Sequence, residues 1–146
     1  MAHSAQHSMK PALKAVLSRD FLSFARKAIV ELDGTIIIGD EPYLHYLAGE
    51  LNRFAESEIR QLVINLPPGH LKTMLGSVCM TAWLLAHHPK LKIIIVSHAE
   101  HLLKTIARYI RSIARSGWFE EIFPTRLAPD HGEVTDFGTT RVAVSS

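Results

Sequence analysis

The chain has 146 residues, 47% hydrophobic and 21% charged, with 16 basic against 14 acidic side chains for a formal net charge of +2. A chain of that length forms one domain able to bury roughly two thirds of its unfolded surface, and the composition excludes wholesale disorder and a partner held by bulk charge alone. The lone cysteine, Cys79, rules out an internal disulfide and points to a reducing compartment. No apolar run approaches the roughly 20 residues of a bilayer span, and polar residues 1–10 lack a secretory core, so a cytoplasmic setting is expected.

Residues 1–12 read as a flexible tail. Leu13, Val16, Leu17, Phe21, Phe24, Ala25, Ala28 and Ile29 then recur at three- and four-residue steps and predict one helix over 13–32, ended by Asp33-Gly34. Residues 35–38 read as a short edge strand. Pro42 opens a second helix with Tyr43, Tyr46, Leu47, Leu51 and Phe54 on its apolar side. The run Leu62-Val63-Ile64 is too short for a helix and is bounded by Pro67-Pro68-Gly69, which predicts a buried strand over 61–66.

Residues 72–86 are apolar on nearly all sides and predict a buried helix, stopped by Pro89. Three isoleucines and a valine make 91–96 the strongest strand signal, with Ser97 as the cap of a helix over 98–116. That helix carries the stripe Leu103, Ile106, Ala107, Ile110, Ile113 and Ala114, with Gly117 as its terminator. Residues 141–145 read as a closing strand. The predicted fold is therefore α/β: a parallel sheet flanked by helices over 13–146, made of N-terminal helices over 13–57, a strand–helix–strand–helix unit over 60–116, and a loop with the closing strand over 117–146.

The chemistry is expected in the turn between the first predicted strand and the buried helix, Asn65-Leu66-Pro67-Pro68-Gly69-His70-Leu71-Lys72-Thr73. Amides at a helix N-terminus carry partial positive charge, a lysine adds a full charge for terminal phosphates, and a threonine hydroxyl can ligate Mg²⁺. Pro68, Gly69, His70, Leu71, Lys72 and Thr73 are the candidate phosphate contacts, with Thr73 also the candidate metal ligand. Leu66 and Leu71 stand where the general phosphate-loop pattern has glycine for close backbone approach, so the pattern alone is incomplete. Elsewhere, Lys104, Arg108, Arg111 and Arg115 share one helical face at steps of four, three and four. Such a face can track nucleic-acid phosphates or simply be solvated. His98 and His101 lack further ligands at a metal-binding spacing.

The stretch Arg-Gln-Leu-Val-Ile-Asn-Leu-Pro-Pro-Gly-His-Leu-Lys-Thr over 60–73 resembles the phosphate-loop segment of bacteriophage and prophage terminase large subunits, in which leucine is a known variant before the lysine. The likeness continues through Ala82-Trp83-Leu84-Leu85, Val96-Ser97, the helix with Arg108 and Arg111, Trp118-Phe119, Phe123-Pro124 and residues 139–145, and reaches back to His45 in the preceding helix. The resemblance implies the N-terminal part of an incomplete P-loop NTPase-type domain, with ATP and Mg²⁺ as cofactors. It also implies double-stranded viral DNA, the small terminase subunit and the portal as partners, in the motor that packages viral DNA into proheads. Gly69 stands where the family usually has an arginine on the terminal phosphate, and the acidic pair of the family's next strand and its nuclease domain have no counterpart here. Turnover by this chain alone is therefore expected to be very weak or nil, and a non-catalytic prophage remnant or interaction module is the alternative.

Overall fold

The computed structural model describes residues 8–69, 71–128 and 139–141. The single helix expected over 13–32 is two: α1, Pro11–Arg19, and α2, Phe21–Leu32. Asp20 separates them with an extended backbone, and its carboxylate accepts from the Ser23 amide at 2.9 Å, the N-cap bond that starts α2. Only Leu17 of α1 is buried, leaving Leu13 and Val16 about half exposed, whereas α2 buries six side chains. Residues 8–10 are tied down at Glu121, which accepts from the Ser8 hydroxyl and the Met9 amide and pairs with Lys14 at 2.8 Å.

Pro42 opens α3, Pro42–Ala55, as its fixed φ favours. The buried face is turned from the expected one: Leu44, Leu47, Ala48 and Leu51 face inward, while Tyr46 is exposed. Lys72 and Thr73 begin a helix that passes through a π-helical stretch, Met74–Cys79, into α4, Met80–His87. This rod buries residues on every side, as its composition requires. Cys79 lies inside it, where burial pushes the thiol up to about 12 and makes it inert.

The next helix, α5, Glu100–Arg115, starts three residues beyond Ser97. The Ser97 hydroxyl instead accepts from the Ala99 amide in the turn before it. Gly117 does not end α5. It opens α6, Gly117–Ile122, leaving Ser116 between the two helices.

The aromatic core joins these elements. Phe24, fully buried, meets Trp83 at 5.2 Å, Trp118 at 5.5 Å and Phe123 at 5.8 Å between ring centres, all edge-on. His87 ties the ends of two helices together, with one ring nitrogen 2.9 Å from the Trp83 carbonyl and the other 2.9 Å from the Ser18 carbonyl. The buried Thr125 hydroxyl lies within bonding distance of the Leu85 and Ala86 carbonyls at the end of α4, so no polar cost attends its burial.

The parallel sheet is not formed. Among the described residues the strands are β1, Thr125–Leu127, and β2, Thr139–Arg141, paired antiparallel. The segments 35–38, 61–66 and 91–96 are in no ladder, so the α/β reading gives way to a mainly helical fold. The reason lies in their side chains. Ile36, Ile38, Leu62, Ile64, Leu66 and Ile95 pack against the helical core, but their neighbours Ile37, Val63, Ile94 and Val96 are 92, 92, 87 and 86% exposed. A parallel strand is covered on both faces and bonded on both edges; these segments have one covered face and no ladder. Of the expected closing strand only Arg141, the end of β2, falls among the described residues. No described helix is long and apolar enough to cross a membrane.

Candidate functional site

The turn singled out in the sequence links the 61–66 segment to the buried π–α rod. Leu66 is half-buried against the core, and Pro68 and Gly69 form an exposed turn. Gly69 has φ +84°, and a Cβ there would meet nothing within 4 Å, so the turn opens to free space. Leu71 has φ +57°, a left-handed conformation that costs a leucine about 1 kcal/mol or more. Its side chain packs against the core cluster. The leucine in the glycine position is thus accommodated by turning inward. His70 lies outside the described residues.

Lys72 is exposed at the first turn of the helix, and its ammonium donates back to the Leu66 carbonyl at 3.3 Å. That bond bridges the turn and holds the charge where the 61–66 segment ends. The half-buried Thr73 follows at the helix start. The Leu75 amide bonds the Leu71 carbonyl at 2.8 Å, so the helical ladder is already running at the turn, and the amides ahead of it are those a helix start leaves without intrahelical partners. Gly76 completes the geometry. A Cβ at this position would lie 3.5 Å from the Ile64 side chain, which shows how closely the 61–66 segment crosses the rod. The π-helical register starts directly after Thr73, a feature that recurs at functional sites.

The residues present fit a phosphate: an open turn, a cation across it and a helix start. For Mg²⁺ they offer one hydroxyl, at Thr73, and such an ion takes most of its ligands from phosphate oxygens and water. Among the described residues no group of three or more His, Cys, Asp and Glu side chains is placed to hold a metal ion by itself. Glu100 and Glu120, two acidic residues without an assigned role in the sequence, are paired with Lys104 at 2.7 Å and Arg126 at 3.9 Å. Asp130, Glu133 and Asp136 lie outside the described residues.

A second polar cluster had only His45 as its sequence signal. Asp40 accepts from Arg26 at 2.9 Å and lies 2.6 Å from His45, and Arg26 also donates to the Gly39 carbonyl. The hydrogen bond from Arg26, then that with His45, holds the Asp40 carboxyl below its ordinary range. These bonds fasten the 35–41 segment between α2 and α3. The basic residues of α5 do come together: Lys104, Arg108, Arg111 and Arg115 all line one groove against α2.

Comparison with models of protein families, with curated proteins and with solved structures found no match.

Proposed function

We propose that the turn over 66–73 binds the phosphates of ATP, with Lys72 countering their charge, the amides opening the helix donating to their oxygens and Thr73 contributing a hydroxyl to a phosphate-bound Mg²⁺. The observation that carries the reading is the Lys72 ammonium held across an open turn, 3.3 Å from the Leu66 carbonyl, while Leu71 is drawn into the core. A phosphate entering the turn would replace that long 3.3 Å bond to a neutral carbonyl with a shorter one to an anion. On the resemblance of the 60–73 motif, this nucleotide site belongs to the ATPase of a terminase-like DNA-packaging motor. Double-stranded viral DNA, a small terminase subunit and a portal would then be its partners, and the cytoplasm its setting.

Phosphoryl transfer rests on positioning and charge neutralisation. Gly69 brings no charge to the terminal phosphate, so binding with little or no turnover is the activity proposed for this chain. The same glycine, together with the unformed sheet, favours a second reading: an interaction module that has kept the helices without the catalysis.

Equilibrium binding of Mg-ATP separates the two. On the first reading Lys72→Ala weakens binding by at least about tenfold, the loss expected for one charge-assisted contact, with the thermal unfolding midpoint unchanged because Lys72 is exposed. Equal affinity of the two proteins, or no binding by either, leaves the interaction module.

A further inference from the structure

The stretch from Pro11 to Leu32 has two ways of being helical. After Pro11 it holds no glycine or proline, and its apolar positions keep one helical spacing from Leu13 to Ile29. The structure nevertheless cuts it into α1 and α2 at the single residue Asp20, with φ −108° and ψ 111°. The helical ladder runs up to the cut and resumes at once: the Asp20 amide bonds the Val16 carbonyl at 2.8 Å, and the Phe24 amide bonds the Asp20 carbonyl at 3.1 Å. A continuous helix would add three bonds, from the amides of Phe21, Leu22 and Ser23 to the carbonyls of Leu17, Ser18 and Arg19. Two of those groups are satisfied otherwise in the cut form. The Ser23 amide donates to the Asp20 carboxylate at 2.9 Å, and the Ser18 carbonyl lies 2.9 Å from a ring nitrogen of His87.

The grip on α1 is light. Leu17 is its one buried side chain, and it lies against α2 and α6. Polar pins hold its two ends: Ser8, Met9 and Lys14 meet Glu121 of α6, and Ser18 meets His87 of α4. Both pins belong to the body. The His87 ring is set 4.3 Å from the Trp83 ring and 5.3 Å from the Phe123 ring, contacts in which α1 takes no part.

We infer that α1 is an exchangeable arm: it straightens with α2 at Asp20 into one helix over 11–32, about 33 Å long, and two copies of this chain dock their arms in each other's seats as a domain-swapped dimer. The occupant is fixed by what the seat already holds. The contacts that α1 makes with its own body re-form with the partner's body, so the two states differ at the hinge and in the freedom lost on association. At the hinge, three ladder bonds favour the straight form and the Asp20 cap favours the cut one. The Ser18 carbonyl has two lone pairs, so a bond to Leu22 within the straight helix leaves it able to meet the partner's His87. A hinge of one residue leaves the arm no slack to fold back once the helix is straight, which is why a second copy's arm fills the seat.

The test has two independent arms, both on the full chain. Lys14→Glu and Glu121→Lys each set like charges against one another within their own chain, and a mixture of the two variants restores opposite charges at both seats only by exchanging α1. Native mass spectrometry of the mixture is expected to show heterodimers in severalfold excess over the homodimers of either variant. At the hinge, Asp20→Ala removes the cap and suits a continuous helix, and is expected to lower the dimer dissociation constant at least about tenfold. Asp20→Gly, which caps nearly as well and disfavours the straight helix, is expected to bring no such gain. Light scattering during size exclusion reads both, and circular dichroism checks that each variant is folded. Two results overturn the inference: a mixture without excess heterodimer, or association indifferent to position 20. In the second case a fall with Ile94→Thr assigns the association to the exposed extended segments instead. The turn over 66–73 takes no part in the exchange, so Mg-ATP binding at Lys72 is measured separately.

Discussion

Two regions of this molecule use the same kind of side chain to opposite ends. In the helical body, α2, α4 and α6 close around Phe24, whose buried ring meets those of Trp83, Trp118 and Phe119. In the segments 35–38, 61–66 and 91–96, alternate isoleucines and valines pack inward while Ile37, Val63, Ile94 and Val96 stand in solvent. Hydrophobic content is similar in both, but burial is not. Apolar residues stabilise only by the surface they remove from water, so the body holds the fold together and the segments are carried on it. The phosphate turn sits on the boundary, with Leu66 and Leu71 packed on the body and Pro68, Gly69 and Lys72 outside it.

The sharpest way to break the comparison is to remove its centre. Phe24→Ala takes away a ring in contact with four others and is expected to cost about 3–5 kcal/mol, the range for a buried aromatic cut to alanine. For a domain of this size that is a large share of total stability. Urea unfolding followed by tryptophan emission measures it, because Trp83 and Trp118 both touch this ring. A loss under about 1 kcal/mol would mean that the body is not where the stability lies.

The junction between body and segments gives a smaller effect of opposite sign. After α3 the Ser57 amide bonds the Phe54 carbonyl and the Glu58 amide bonds the Arg53 carbonyl, the paired bonds of a Schellman motif. The residue at its left-handed position is normally glycine; here it is Ser57 with φ +63°. Ser57→Gly relieves that conformation, and since the side chain is exposed nothing is lost in packing. A gain of about 0.5–1 kcal/mol in unfolding free energy is expected, and a destabilised variant would show that the serine hydroxyl has a partner of its own.

How far the sequence could be read follows the same boundary. Proline marks were legible because they act locally: Pro42 starts α3 and Pro89 follows the end of α4. The all-round apolar run over 72–86 announced a buried helix, and the cations of α5 announced the groove wall, because both are periodic. Asp20 was not legible, since Leu17, Phe21 and Phe24 keep helical spacing straight across it. Gly117 misled because glycine suits both the end of one helix and the start of the next. The strands failed for a different reason. A β-branched run specifies an extended habit, while a ladder depends on a neighbour that local propensity does not name. At the turn, the order of residues was legible down to Lys72, but the inward set of Leu71 depends on a backbone angle that no spacing reveals.

The smallest expected effect tests the exposed side directly. Ile94 is 87% exposed in a segment without a ladder, and if its outward face is truly bare, Ile94→Thr removes apolar surface that folding never buried. The unfolding free energy should then move by no more than about 0.5 kcal/mol, as for other surface changes. Threonine keeps the β-branch, so the local backbone preference is preserved and the measurement reads burial alone. What should change is association. Four exposed aliphatic side chains on unpaired extended segments invite edge pairing with other chains, and light scattering at high protein concentration should fall in the variant. A loss of more than about 2 kcal/mol would reverse the comparison: it would mean that something covers Ile94, and that the segments contribute to the core as fully as the helices do.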